Sequence, residues 1–191
     1  MLIHVTQGLQ WLLEKESPQL PKAGSSDVVQ LWKRSATQSS IFTHLATNYS
    51  LQNKQPELAS GGILADDMGL GKTVQIIALI MADRALKCPS KDGVSNATLI
   101  LAPLSVMSNW TSQIKRHIQP GKELHVLTYH GTRRTPISPK SINDYDVVIT
   151  TYETAMSEYF SRKQPTVPTK DGLFSVKWRR IVLDEGHNIR N

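Results

Sequence analysis

A lysine set behind two glycines, between one short and one long apolar stretch, constrains this chain more than any other feature. Ala65-Asp66-Asp67-Met68-Gly69-Leu70-Gly71-Lys72-Thr73 follows Gly61-Gly62-Ile63-Leu64 and precedes Val74, Ile76, Ile77, Leu79 and Ile80. That order spells strand, glycine loop, helix. Loop amides and the positive end of the helix dipole converge on a phosphate there, and Lys72 adds a full charge. Asp67, Met68, Gly69, Leu70 and Gly71 supply the cradle, and Thr73 can give its hydroxyl to magnesium. The strict pattern G-x-x-x-x-G-K-[ST] has glycine where this chain has Asp66. Gly69 and Gly71 still allow the close backbone approach that phosphate binding needs.

Far downstream, Trp178-Arg179-Arg180-Ile181-Val182-Leu183-Asp184-Glu185-Gly186-His187 reads as a short buried strand ending in two carboxylates. In an open parallel sheet, ligands sit beyond the carboxyl ends of the strands. Asp184 is then placed to hold magnesium and Glu185 to orient or deprotonate an attacking water. A solvated acidic turn is the bland reading of an Asp-Glu pair, and the upstream glycine loop argues against it.

The 191 residues, 39% hydrophobic, suffice for one domain with a real core. No apolar run approaches the ~18 residues that span a bilayer, and the first residues do not read as a secretory signal. Cys88 is the single cysteine, which rules out an internal disulfide and points to a reducing compartment. Six scattered histidines show no zinc-ligand spacing. Residues 81–140 carry nine basic against three acidic side chains and account for the whole net charge of +6. Composition leaves two readings of that excess open: a surface for a polyanion such as nucleic acid, or a solvated basic face.

Along the chain, residues 8–16 are expected as an amphipathic helix, and 17–60 as a Pro- and Ser-marked insertion draped over the domain, with strand or helical turn at 28–32. Regular alternation begins at Gly61. Strands are expected at 62–65, 97–102, 124–129, 146–151 and 177–183, and helices at 72–86, 105–118 and from Tyr152 onward. The stripe Val106, Trp110, Ile114, Ile118 should face the sheet as core, with no chemistry assigned to Trp110. Apolar strands alternating with amphipathic helices imply an α/β fold, a doubly wound parallel sheet with helices on both faces.

These blocks in this order resemble the first RecA-like lobe of superfamily 2 helicases, specifically SWI/SNF-type DNA-dependent ATPases. Ile63 to Thr73 is similar to helicase motif I, Leu101-Ala102-Pro103-Leu104-Ser105-Val106 with Trp110 to motif Ia, and Asp184-Glu185-Gly186-His187 to motif II. Tyr129-His130-Gly131 and Val148-Ile149-Thr150-Thr151-Tyr152 resemble the intervening blocks. Leu31-Trp32-Lys33-Arg34 and His44-Leu45-Ala46-Thr47-Asn48-Tyr49 narrow the resemblance to the subgroup of helicase-like transcription factor and its fungal post-replication repair relatives.

The resemblance implies an N-terminal helix and insertion over 1–60, then a nucleotide-binding lobe over 61–191. It implies ATP and Mg2+ as cofactors, duplex DNA or chromatin as partner, a nuclear location and a role in remodelling or repair. It assigns Lys72, Asp184 and Glu185 to catalysis, Thr73 and Asp184 to the metal, and His187 to coupling with DNA. A surface turn histidine is the other reading of His187. Pro103, Ser105, Thr150 and Thr151 would line the DNA side, as would Arg133 and Arg134; by composition they are ordinary caps, turns and solvated charges. One departure concerns the base. The family's adenine-reading glutamine follows a histidine, whereas here Val5 follows His4 and Gln7, two residues further on, is the amide that could substitute. The other is length: the family's second lobe, with its arginine finger, would lie beyond Asn191. A non-catalytic nucleotide- or partner-binding module is therefore the rival reading. A small P-loop kinase or GTPase leaves Asp184-Glu185-Gly186-His187 unexplained.

Overall fold

The computed structural model describes residues 2–85, 94–132, 134–162 and 171–189, in two compact units, Met1–Gln75 and Ile76–Asn191. No described helix is long and apolar enough to cross a membrane.

In the first unit, α1 (Leu2–Glu16) begins a full turn or more before the expected start at Gly8. Glycine normally weakens a helix interior. Here it makes room: a Cβ on Gly8 would lie 1.9 Å from Oε1 of the fully buried Gln75. Four short strands follow, β1 (Val28–Val29), β2 (Trp32–Arg34), β3 (Ile41–His44) and β4 (Ser50–Gln52), paired in that order as an antiparallel meander. The insertion thus has its own sheet, which the sequence did not reveal. Gln30 and Leu31 both take positive φ (48° and 65°) between β1 and β2, the geometry of a tight hairpin turn. That strain is offset at Gln30, whose side-chain amide clamps Ala59: Nε2 donates to its carbonyl at 2.7 Å and Oε1 accepts its N–H at 2.8 Å. Phe42 is the buried centre of the meander, with the Arg34 guanidinium stacked 5.1 Å from its ring centroid.

The expected strand at 62–65 is absent from both sheets. The Gly61 N–H donates instead to the Lys15 carbonyl (2.9 Å), near the end of α1, and a Cβ on Gly62 would meet the Trp11 ring at 2.9 Å. The segment runs against α1 rather than in a ladder, and Ile63 is 86% exposed. The glycine loop then leads into α2 (Lys72–Ala85).

The second unit is built on a parallel sheet. Its strands are β5 (Thr98–Leu101), β6 (Val126–Tyr129), β7 (Val147–Thr150) and β8 (Arg180–Leu183), in the spatial order β6-β7-β5-β8. They alternate with α3 (Leu104–His117) and α4 (Tyr152–Arg162). Side chains of a strand alternate between faces, so β5 and β7 feed two cores. Ile100, Val147 and Ile149 join Ile77 and Ile80 of α2 and Met107, Trp110 and Ile114 of α3. Leu99 and Val148 join Tyr129, Ile137, Ile142 and Leu173, with Ala155 of α4 packed alongside. Helices therefore cover both faces, as the alternation predicts.

The amino edge of this sheet is pinned by charge. Asp83 of α2 receives Arg180 Nη2 at 2.7 Å and Arg179 Nη2 at 3.0 Å, and Arg180 also reaches Thr98 Oγ1 at 3.2 Å. Burial pushes the Asp83 carboxyl up; the Arg179 hydrogen bond and the Arg180 charge outweigh it and hold the group below the ordinary carboxylate range. At the opposite edge, Leu101 stands level with Thr150 and with Leu183, and Tyr129 with Thr150. The ladder continues one step further, from Ala102 N to the Thr150 carbonyl (3.0 Å) and from Asp184 N to the Leu101 carbonyl (2.9 Å). Everything that follows these strands emerges at one carboxyl edge.

Candidate functional site

The phosphate loop belongs to the first unit. Gly69 and Gly71 have φ of +85° and +82°, a region open to glycine and strained for other residues. Asp67, Met68, Gly69 and Leu70 form the exposed turn, Met68 being 96% exposed, and Lys72 opens α2. The Lys72 ammonium folds back into the loop and donates to the carbonyls of Asp66 (2.8 Å) and Asp67 (3.1 Å). An ammonium has three N–H donors, so one remains. Gln75, one turn into the helix, braces the loop from below: its Nε2 donates to Asp66 Oδ2 at 3.1 Å. Asp66 thus does structural work at the position where the strict pattern has glycine. Thr73 is half-buried in the first turn of α2.

The carboxylates belong to the second unit. Asp184 leaves β8 half-buried, and Glu185, exposed, takes φ +51°, the left-handed region that non-glycine residues seldom occupy. The Glu185 N–H donates to Asp184 Oδ1 at 3.0 Å. His187 Nδ1 lies 3.3 Å from Glu185 Oε2, an ion pair whenever the imidazole is protonated. The first core sends one polar atom to this corner: Nε1 of the buried Trp110 donates to Asp184 Oδ2 at 2.7 Å. Tyr152, the first residue of α4, donates its hydroxyl to the Asp184 carbonyl at 2.6 Å. Burial, and after it the Asp184 and Glu185 charges, raise the Tyr152 pKa, so it remains a donor at neutral pH.

The donor set suits magnesium. Each carboxylate oxygen of Asp184 carries one hydrogen bond and keeps a lone-pair direction free. Among the described residues no three His, Cys, Asp or Glu side chains gather as a metal cage. Magnesium bound with phosphates needs only one or two carboxylates and keeps several waters.

A family profile for the SNF2-related domain matches residues 4–191. The chain belongs to the SNF2-related family. Its parallel sheet with helices on both faces is the RecA-like lobe of these helicase-like ATPases. It is 38% identical over 150 residues to the DNA repair protein RAD5 of Debaryomyces hansenii, covering 70% of this chain and 13% of that protein. It is 36% identical over 147 residues to the DNA repair protein rad8 of Schizosaccharomyces pombe, covering 69% and 12%. An Arabidopsis thaliana protein named as a SWI/SNF-related matrix-associated actin-dependent regulator of chromatin, subfamily A member 3-like 1, is 29% identical over 234 residues, covering 100% and 24%. The chain spans at most a quarter of the length of these relatives.

Several SNF2-type positions sit differently from the sequence reading. Thr150 and Thr151 are fully buried: the Thr150 hydroxyl donates to the Tyr129 carbonyl (2.8 Å), and Thr151 Oγ1 accepts the Thr154 N–H (3.1 Å) as the cap of α4. Both hydroxyls are engaged inside the fold, Thr150 at the end of β7 and Thr151 at the start of α4. Arg134 is held 3.4 Å from Glu158 Oε1 and lies over the Tyr129 ring, while Tyr129 donates its own hydroxyl to the same carboxylate. Its charge is already matched. Arg133 lies outside the described residues. Pro103 is half-buried and Ser105 exposed at the start of α3, on the carboxyl edge. Val5 of α1 is the side chain beside Gly71, its Cγ2 3.8 Å from where a Cβ there would stand. Gln7 is exposed two residues on, about 200° around the helix, so it does not share Val5's direction.

The hydrogen bonds of Trp110 and Tyr152 to Asp184 are the contacts the sequence reading missed. A four-residue stripe identifies the face of a helix; it says nothing of where one indole N–H points.

Proposed function

We propose that this chain binds MgATP and contributes the nucleotide-hydrolysing lobe of a DNA-dependent ATPase that acts in DNA repair or chromatin remodelling in the nucleus. The observation that carries the proposal is the phosphate loop: two glycines at positive φ open onto a 14-residue helix whose first residue is Lys72. Residues 61–191 form the nucleotide-binding lobe in this reading, and residues 1–60 an accessory helix and sheet. The repair and chromatin setting rests on the names of the relatives.

The chemistry follows the family's pattern. Lys72 exchanges its carbonyl partners for phosphate oxygens and stabilises charge developing on the transferring group. Thr73 and Asp184 would offer oxygen ligands to magnesium, which would offset phosphate charge in the bound nucleotide. Glu185 orients the attacking water and takes its proton as the bond to ADP breaks; His187, 3.3 Å away, steadies that carboxylate. Pro103 and Ser105, with the first amides of α3, face the DNA backbone, where hydroxyls and helix amides contact phosphate. A second helicase lobe supplies the arginine that completes the transition state.

Calorimetric titration with MgATP tests the proposal. Binding in the wild type that weakens in Lys72→Ala supports it; a folded wild-type chain with no MgATP affinity overturns it.

A further inference from the structure

We infer that Trp110 is a positioning residue for the metal-binding carboxylate: its indole N–H holds Asp184 so that the free lone pairs aim at magnesium. The inference rests on the metal role proposed for Asp184. A tryptophan chosen only for core volume has no need of a carboxylate, and Trp110 lies in a core cluster that is otherwise apolar. Yet its one polar atom makes a 2.7 Å bond to Oδ2 of the half-buried Asp184, while the Trp110 side chain itself is buried. A buried indole N–H left without a partner would cost desolvation free energy, so the two groups fix one another.

The remaining freedom of Asp184 is removed from two other directions. Its Oδ1 accepts the Glu185 N–H at 3.0 Å, and its carbonyl accepts the Tyr152 hydroxyl at 2.6 Å. The carboxylate is therefore held by a neutral donor on each oxygen and its backbone by a third. None of the three carries a charge that would compete with a cation for the anion. A carboxylate so held presents ligands without the rotamer entropy that a free aspartate loses on binding metal. Trp110 is on α3 and Tyr152 on α4, one helix from each face of the sheet, so Asp184 is clamped from both layers.

The test uses Mn2+ as the probe, with ADP, and reads free Mn2+ by electron paramagnetic resonance. Trp110→Phe keeps an aromatic ring in the core and deletes the N–H. We expect Mn2+ affinity in the presence of ADP to fall about tenfold, the scale of one hydrogen bond to a charged group. ADP affinity without metal should be unchanged. Unchanged Mn2+ affinity in a folded Trp110→Phe overturns the inference. An equal fall in metal-free ADP affinity also overturns it, because the residue would then be merely structural. Should Trp110→Phe not fold, Tyr152→Phe deletes only a hydroxyl and carries the same expectation at about threefold. Two controls separate this inference from the reading beneath it. Lys72→Ala must weaken ADP binding and Asp184→Asn must weaken Mn2+ binding; failure of either removes the nucleotide or metal assignment itself. Success of both with a silent Trp110→Phe removes only the positioning role.

Discussion

Lys72→Ala offers the sharpest test because the structure sets both sides of its balance. The ammonium already makes two bonds, to the carbonyls of Asp66 and Asp67 at 2.8 and 3.1 Å. Nucleotide binding therefore replaces neutral acceptors with phosphate oxygens rather than creating contacts from nothing. A charge-assisted bond to phosphate contributes about 1.5–3 kcal/mol, against about 1 kcal/mol for the carbonyl contacts it displaces. The difference, about 0.5–2 kcal/mol, makes Lys72→Ala bind MgATP about two- to thirtyfold more weakly. The same two carbonyl bonds lie at the exposed loop, so their loss should cost the fold no more than about 1 kcal/mol. In a chain of this size that lowers Tm by less than about 4 °C. Raising ionic strength should narrow the affinity gap, because the contribution is Coulombic and close to solvent. Calorimetry of both proteins at two salt concentrations, with melting curves alongside, measures all three quantities. Equal affinities would refute the reasoning about the loop. A drop in Tm beyond about 10 °C would refute it differently, by making the lysine a structural tie.

Three further outcomes are expected. Asp83→Asn leaves Arg180, whose side chain is 7% exposed, without its carboxylate and should destabilise the protein by about 2 kcal/mol at neutral pH. Because the folded Asp83 pKa is lowered, that contribution is present above the unfolded value near 4 and lost as pH falls through the folded value. Urea melts of the two proteins should thus differ at pH 7 and converge toward pH 2; a constant gap would contradict the ion-pair account. Val5→Gln puts an amide beside Gly71 and should raise preference for ATP over GTP about tenfold in competition binding, from a wild type that discriminates weakly. A wild type already selective for ATP would show that the base is read elsewhere. Phosphate release by these 191 residues should barely exceed that of Glu185→Gln, with or without duplex DNA. Arg84, Arg134, Arg179 and Arg180 are each engaged by a carboxylate, and a supplied arginine is worth about 10³–10⁵ in rate.

Much of the second unit was legible in the sequence because its strands are continuous apolar runs, the mark of a sheet buried on both faces. Thr98–Leu101 and Val147–Thr150 fall inside the expected spans, and the stripe Val106, Trp110, Ile114, Ile118 packs on the sheet. The meander in the insertion was not legible. Its strands are two to four residues long, too short for a period to show, and its first turn uses Gln30 and Leu31 where a hairpin signal would be Asn-Gly. The segment 62–65 misled for the opposite reason: Ile63 and Leu64 look like strand, but glycines at 61 and 62 let the chain lie against α1. At the site, the chemical types were readable and their partners were not. Thr150 and Thr151 carry the hydroxyls a DNA edge could use, and only the structure reveals those hydroxyls bonded inward.

The basic excess of residues 81–140 also reads differently once it is placed on the fold. Parallel strands oblige each connecting helix to run back from the carboxyl edge to the amino edge. Lys115 and Arg116 close the last turn of α3, where they complement the negative end of its dipole, about 15 Å from Ser105 at its start. Arg84, likewise at the end of α2, donates to the carbonyls of Lys122 and Glu123 and lies 3.8 Å from Asp146. Arg134 is matched by Glu158. Arg84, Lys115, Arg116 and Arg134 therefore serve helix ends and ion pairs, several of them at the edge opposite Asp184. A DNA backbone approaching the carboxyl edge would meet the amides of α3 and the Ser105 hydroxyl, a contact that is short-ranged and polar. If this lobe engages DNA as proposed, net charge alone is a poor guide to the contact: charge governs long-range attraction, whereas a contact at the carboxyl edge would be made by α3 amides and the Ser105 hydroxyl.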